Sequence, residues 1–374
     1  MSKYALLSVS DKTNILLIAK HLVNRGYNIL SSSGTYKYLE DNNIENIHKI
    51  TDYTQFPEIL NGRVKTLHPK IYGSILADKN NTKHMEDILS NDCKLIDIVV
   101  VNLYPFDKII NSNHIEEDVI ENIDIGGHTL IRASAKNYKN ILIIVNPNDY
   151  DNVINTWDSI DINFRKEMAK KAFHHIAKYD ISISSYYNTD YYYRIYSKIT
   201  SLRYGCNPHQ INSFICSLHD KNFPLQILNG TPSYINFLDA VGSWQLVNDL
   251  QNITGYISAA SFKHTAPAGV GICKKLDDIL TIIYDVEKYD MTDTANAYIR
   301  ARNSDPMSSF GDFIAISSQV DAVTAKLIKR EISDGIIAPS YTDEALKILK
   351  TKKSGRFLIM QINPKYINNN LLEF

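Results

Sequence analysis

The stretch Tyr4-Ala5-Leu6-Leu7-Ser8-Val9-Ser10-Asp11-Lys12-Thr13 sets the reading of the fold. Residues 4–9 are a short apolar run rich in β-formers, and the small polar residues after them read as a turn, with Ser10 placed as a helix N-cap. Ile15, Leu16, Ala19, Leu22 and Val23 then recur at helical spacing, and Gly26 sits where a glycine ends a helix. Residues 27–30 read as a second strand, Ser31-Ser32-Ser33-Gly34-Thr35 as a second polar turn, and a further helix is expected from Tyr36. Further along, residues 96–101 and 140–145 are continuous apolar runs, the mark of strands buried on both faces of a parallel sheet. The alternation predicts an α/β chain whose N-terminal part is a doubly wound parallel sheet.

From residue 164 to 187 the pattern turns helical. Residues 184–200 are Tyr-rich and polar, with Asn188-Thr189-Asp190 as a breaker, so the boundary is placed between a domain at 1–196 and one at 197–374. The second part mixes strand patterns (259–263, 313–317) with helical ones (241–250, 324–331), a mixed α/β domain. The run Asn368-Asn369-Asn370 carries no packing signal.

At 374 residues the chain is long enough for two or three domains with ordinary cores. Forty Lys and Arg against 41 Asp and Glu give a net charge of −1, which argues against a protein built to coat nucleic acid or an anionic membrane. The four cysteines, at 93, 206, 216 and 273, include no C-x-x-C pair, so no zinc knuckle or redox pair is signalled. No apolar run is long enough for a signal peptide or a transmembrane helix, and a cytoplasmic protein is expected.

Ser10-Asp11-Lys12 and Ser32-Ser33-Gly34-Thr35 follow strands and open helices. At the carboxyl edge of a doubly wound sheet, their hydroxyls and backbone N–H groups suit a phosphate, with Lys12 adding charge. Each loop taken singly is also an ordinary turn, and neither has the glycine spacing of a P-loop or a dinucleotide fingerprint. Arg63-Val64-Lys65-Thr66-Leu67-His68 packs cations, a hydroxyl and an imidazole into one loop, either a solvated basic turn or a phosphate or carbonyl clamp. Asn102 and Tyr104 end a buried strand, where they can bond a base or an amide. Gly126-Gly127 allows close backbone approach, and the helix after it carries Arg132 and Lys136.

Together these segments carry a resemblance. Ser8-Val9-Ser10-Asp11-Lys12-Thr13, Gly62-Arg63-Val64-Lys65-Thr66-Leu67-His68-Pro69, Asn102-Leu103-Tyr104-Pro105-Phe106 and Ile123-Asp124-Ile125-Gly126-Gly127 resemble, in order, the IMP cyclohydrolase domain of the bifunctional AICAR transformylase/IMP cyclohydrolase family. Leu202-Arg203-Tyr204-Gly205-Cys206-Asn207-Pro208, Tyr234-Ile235-Asn236-Phe237-Leu238-Asp239, Phe262-Lys263-His264-Thr265-Ala266-Pro267 and Met307-Ser308-Ser309-Phe310-Gly311-Asp312 are similar to its transformylase half. The resemblance implies a methylglyoxal-synthase-like first domain and a cytidine-deaminase-like second one. Members of the family continue past the position matching Phe374, so formyl transfer by this chain alone is expected to be poor.

The resemblance also implies roles. Ser10, Asp11, Lys12, Ser32, Ser33, Gly34, Thr35, Arg63, Val64 and Thr66 would surround a nucleotide, and Val101, Asn102, Ile125 and Gly126 would line its base. Lys136 would transfer a proton, while Lys65, Tyr104 and Asp124 would orient or polarise the reacting groups. In the second half, His264 and Lys263 would serve formyl transfer, and Arg203, Tyr204, Asn236, Gly311 and Asp334 would contact AICAR. The implied reactions are FAICAR cyclisation to IMP, with no cofactor or metal, and formylation of AICAR from 10-formyltetrahydrofolate as co-substrate. The implied ligands are purine ribonucleotides and folate, and the implied assembly is a homodimer without nucleic acid or membrane. A non-catalytic nucleotide-binding remnant and a methylglyoxal-synthase-like lyase are the alternatives. The intact N-terminal polar set argues against the first and the motifs from Arg203 onward against the second.

Overall fold

The computed structural model describes residues 2–188, 190–218 and 223–365. Thr189 of the expected breaker and the Asn368 to Asn370 run lie outside the described residues. The chain divides into two compact units, Met1–Tyr193 and Arg194–Phe374, three residues before the boundary read from sequence. No helix among the described residues is long and apolar enough to cross a membrane.

In the first unit, β1 (Lys3–Ser8), β2 (Tyr27–Ser31), β3 (Ile47–Lys49), β4 (Ile96–Val101) and β5 (Leu142–Ile144) form one sheet in the order β3-β2-β1-β4-β5. Every pairing in it is parallel. The apolar runs behave as their composition dictates: Ala5, Leu6 and Leu7 of β1 and Val99 and Val100 of β4 are fully buried. Helices α1 (Ile15–Asn24), α2 (Ser33–Asp41), α3 (Pro69–Leu76), α4 (Gly126–Lys136) and α5 (Ile162–Tyr187) accompany the sheet, and Ile15, Ile18, Ala19 and Leu22 bury the apolar stripe of α1 in its core. Gly26 has φ +80, the left-handed conformation that suits a glycine after a helix.

Two local expectations fail here. Ser10 does not cap α1, which starts at Ile15 behind a left-handed Asn14 (φ 56). The Ser10 N–H is taken instead by a side chain 92 residues away, so tertiary contact overrides the capping preference. Helix α2 begins at Ser33 rather than Tyr36, and the hydroxyl of Ser32 before it pairs with Ser8 (2.9 Å) instead of capping.

The second unit holds a two-stranded ribbon, β6 (Tyr196–Ser201) with β7 (Phe214–Leu218), and a six-stranded sheet. The ribbon takes up part of the Tyr-rich, polar segment 184–200 on which the boundary was placed. The larger sheet contains β8 (Leu225–Asn229), β9 (Ser258–Lys263), β10 (Ala266–Ile272), β11 (Asp312–Ile316), β12 (Ser333–Ala338) and β13 (Leu358–Ile362), in the order β10-β9-β11-β12-β13-β8. It is mixed: β11-β12 and β12-β13 are parallel and the other pairings antiparallel. Alternate residues feed two cores. Ile314, Ile316 and Ile336 face the one containing Ala295, Ala297 and Ile299 of α7 (Asp293–Arg302), while Phe313, Ala315 and Ile337 face the one containing Phe237 and Trp244 of α6 (Tyr234–Thr254).

Gly335 of β12 marks how closely that second core is packed. A Cβ there would lie 2.5 Å from Phe313 Cε2 and 3.0 Å from both Leu358 Cβ and the Leu358 carbonyl oxygen. Gly335→Ala is therefore expected to destabilise the second unit by about 1–3 kcal/mol. Scanning calorimetry should show this as a lowered unfolding transition; an unchanged transition would mean that the sheet yields at no cost.

Candidate functional sites

The first site lies at the carboxyl ends of β1, β2 and β4. Strand order places the chain reversal between β1 and β4, and this is where open α/β sheets bind ligands. The cavity, about 170 Å³, is lined by Ser8, Val9, Ser10, Lys12, Ser32, Gly34, Thr35, Lys65, Thr66, Asn102, Tyr104, Asp124 and Gly127. Five separate chain segments thus converge, although they are up to about a hundred residues apart in sequence.

Asn102 holds the first of these segments. Its Oδ1 accepts the N–H groups of Ser10 (2.7 Å) and Asp11 (2.9 Å), and its Nδ2 donates to the Asp11 carbonyl (2.9 Å). The side chain is 8% exposed and committed to the loop, so it shapes the cavity. Asn102→Ala would leave two backbone N–H groups without acceptors. It should cost about 2–4 kcal/mol of stability, read from the urea midpoint of the first unit; a midpoint within error of the parent chain would refute this role.

Thr35 fixes the second segment, accepting the Val9 N–H at 3.0 Å and lying within 3.2 Å of the Val9 carbonyl. Thr66 is buried at 1% exposure, and its hydroxyl has no hydrogen-bond partner among the described residues. Gly126 is required beside it, because a Cβ there would sit 2.5 Å from Thr66 Oγ1.

Four titratable groups line the cavity: Lys12, Lys65, Tyr104 and Asp124. Lys65 Nζ donates to the Tyr104 hydroxyl at 3.0 Å. Half-burial works against its ammonium, but Tyr104, with Glu58 and Asp124 nearby, holds its pKa above the usual lysine value. Asp124 Oδ1 accepts the Gly127 N–H at 2.6 Å in the first turn of α4. Burial pushes its carboxyl pKa up, against the pull of that N–H, of Lys65 and of His128. The Asp124 backbone N–H is held by Tyr179 of α5 (2.8 Å), whose phenol donates to the Asn122 carbonyl (2.9 Å) and is pushed up to about 12 by burial. Tyr179 was not among the sequence candidates, since only the long-range packing of α5 brings it here.

Eight sequence candidates do not line this cavity. Lys136 is the last residue of α4 and is exposed; at 1.5 Å per residue it stands about 15 Å along the axis from Gly126, beyond the reach of a lysine side chain. The fold of this chain therefore does not bring Lys136 to the lining of this cavity. The exposed Arg63 side chain is paired with Glu121. The Asp11 carboxylate accepts the Thr13 N–H (2.9 Å), and the Ser33 hydroxyl bonds Glu58. Val64 is bound to Ile59 through its backbone, Val101 is buried in β4, Ile125 is 53% exposed, and Gly126 packs on Thr66.

The second site, a cavity of about 620 Å³, lies in the second unit. All seven sequence candidates there line it: Arg203, Tyr204, Asn236, Lys263, His264, Gly311 and Asp334. Sequence reading missed Thr231, Ser233, Asp239, Lys353, Ser354 and Arg356. Lys353 is ion-paired with Asp334 (2.5 Å), and the Arg203 guanidinium lies 4.9 Å from the Tyr204 ring centre. Ser233 caps α6 reciprocally with Asn236. The Lys263 ammonium donates to the Phe310 carbonyl, which fixes it beside Gly311. Four cations against two carboxylates suit an anionic ligand.

The MGS-like domain family matches residues 14–129, and the family described as AICARFT/IMPCHase bienzyme matches residues 134–373. The chain belongs to the AICARFT/IMPCHase bienzyme family. It is 37% identical to the bifunctional purine biosynthesis protein PurH of Clostridium kluyveri, over 97% of this chain and 70% of that protein. It is 39% identical to the PurH proteins of Macrococcus caseolyticus, over 95% of this chain and 67% of that protein, and of Prochlorococcus marinus, over 96% and 69%. The MGS-like match falls within the parallel-sheet unit, and the bienzyme match starts inside α4 and runs through β5 and α5 into the mixed-sheet unit.

Proposed function

We propose that the first unit closes FAICAR to IMP and that the second carries the AICAR and His264 side of formyl transfer from 10-formyltetrahydrofolate, a transfer this chain alone performs slowly. The observation that carries the first assignment is the meeting of Lys65, Tyr104 and Asp124 over one cavity walled by small polar loops.

In FAICAR the carboxamide nitrogen and the formyl carbon sit on adjacent ring positions, so the reaction is intramolecular and the enzyme mainly fixes the reactive rotamer. Attack forms the new C–N bond and places negative charge on the former formyl oxygen. The Lys65 ammonium, aligned by the Tyr104 hydroxyl, supplies positive charge and a proton for that oxygen. The Asp124 carboxylate takes the proton leaving the carboxamide nitrogen. Loss of the protonated oxygen as water, with the second N–H proton, completes the ring. The Ser10-Lys12 and Ser32-Thr35 loops, with their hydroxyls and N–H groups, hold the phosphate and ribose.

In the second unit, His264 removes a proton from the weakly nucleophilic AICAR amine as it attacks the formyl carbon, and Lys263 supports the charge that develops on the formyl oxygen; collapse of that adduct breaks the bond from the formyl carbon to N10, and tetrahydrofolate leaves with the proton returned by His264. The same reading takes the enzyme as a cytoplasmic homodimer acting on purine ribonucleotides and folate, with no nucleic-acid partner. Purified chain should convert FAICAR to IMP without added folate or metal, followed by ultraviolet absorbance. IMP binding with no turnover would instead support a non-catalytic binding protein.

A further inference from the structure

The β9-β10 hairpin of the second unit closes in two residues. Lys263 pairs with Ala266, leaving His264 and Thr265 as the loop. Their φ angles are +52 and +65. Tight turns of this kind need positive φ at both positions, which is why Asn and Gly dominate them. Here neither position is glycine and the second is β-branched, so the turn does not hold itself.

The Thr265 N–H donates to Asp239 Oδ1 at 2.7 Å. Asp239 belongs to α6 and is only 6% exposed. The start of α6 is fixed in turn by the Ser233-Asn236 reciprocal cap, so the acceptor sits on a rigid element. Asp239 and His264 border the same cavity. Burial raises the Asp239 carboxyl pKa, while the Thr265 N–H and His264 pull it back down.

We propose that Asp239 is a positioning residue: through the Thr265 N–H it locks the strained turn that aims the His264 imidazole into the cavity. This rests on the formyl-transfer reading of the second unit. Position rather than charge is then what Asp239 supplies, and two variants separate the two. Asp239→Asn keeps an acceptor oxygen at the same reach without the charge. Asp239→Glu keeps the charge but moves the oxygens outward by one methylene.

The test uses the full chain with labelled histidine, the His264 ring signal being identified by its loss in His264→Gln. Asp239→Asn should leave that signal in place and AICAR formylation within about threefold of the parent chain. Asp239→Glu should shift and broaden the signal and slow formylation by about tenfold or more. Adding Thr265→Gly to Asp239→Glu should restore the signal and most of the rate, because glycine takes positive φ without strain. The reverse order, with Asn harmful and Glu tolerated, or no rescue by glycine, would overturn the proposal. A parent chain that does not formylate but shows the same His264 response would overturn the formyl-transfer reading and leave the positioning role standing.

Discussion

Replacing Lys65 with methionine will slow FAICAR cyclisation by about 10²–10³-fold, the usual cost of removing one preorganised charge from a reacting oxygen. Methionine matches the length of the stem but carries no ammonium, and the Tyr104 hydroxyl loses the donor that aligns it at 3.0 Å. The loss should fall on kcat, since the group acts on charge that exists only in the transition state. The pH profile of the parent chain follows from the same pair. Asp124 must be ionised to act as a base, and its carboxyl pKa is raised by burial, so the acidic limb lies above the range of an ordinary aspartate. Lys65 must be protonated, and its pKa is held above the usual lysine value, so no alkaline limb from Lys65 should appear below the ordinary lysine range. Lys136→Met is the contrast: exposed at the far end of α4, it should change the rate by less than about threefold, as surface substitutions do. A collapse of activity in Lys136→Met with Lys65→Met nearly intact would reverse the two roles.

That contrast shows where sequence reading stops. The parallel sheet was legible because β1 and β4 are apolar runs with no alternation, which only a strand covered on both faces tolerates. Lys65, Tyr104 and Asp124 were singled out by the motifs that carry the family resemblance, and all three line one cavity. Lys136 does not reach the cavity lining for a specific reason. Its motif neighbours Asp124 and Gly127 are at the cavity, but ten residues of helix carry the chain away from it, and proximity in sequence is lost at 1.5 Å per residue. Arg63 does not line the cavity for a different one: its guanidinium is paired with Glu121, on a segment no motif includes. Ser10 followed neither rule of thumb. Its capping preference is local and weak, and the Asn102 amide offers its loop stronger partners. The second cavity was read more completely because its motifs sit on strand ends and helix starts, where a residue's place in the chain nearly fixes its place in space. What was missed there, Asp239 and Lys353 among them, comes from a buried helix face and from a 3-10 turn with left-handed residues.

His264→Ala will abolish most formyl transfer, by about 10²–10⁴-fold, and leave FAICAR cyclisation unchanged. The imidazole borders the second cavity beside the Lys263 ammonium and is the one neutral-nitrogen base among the side chains lining it. Each unit has its own apolar cores, and the lining of each cavity comes wholly from one unit. Loss of an imidazole at a surface hairpin loop leaves every core residue of both units in place, so the cyclisation rate of the same preparation serves as the internal reference. AICAR binding should persist, because the phosphate-compatible cations Arg203, Lys353 and Arg356 are untouched. The expected signature is therefore a fall in kcat for one reaction, with KM for AICAR and the whole of the other reaction retained. Weakened AICAR binding with unchanged kcat would make His264 a ligand rather than a base, and equal loss of both reactions would mean that the two sites do not work as separate machines.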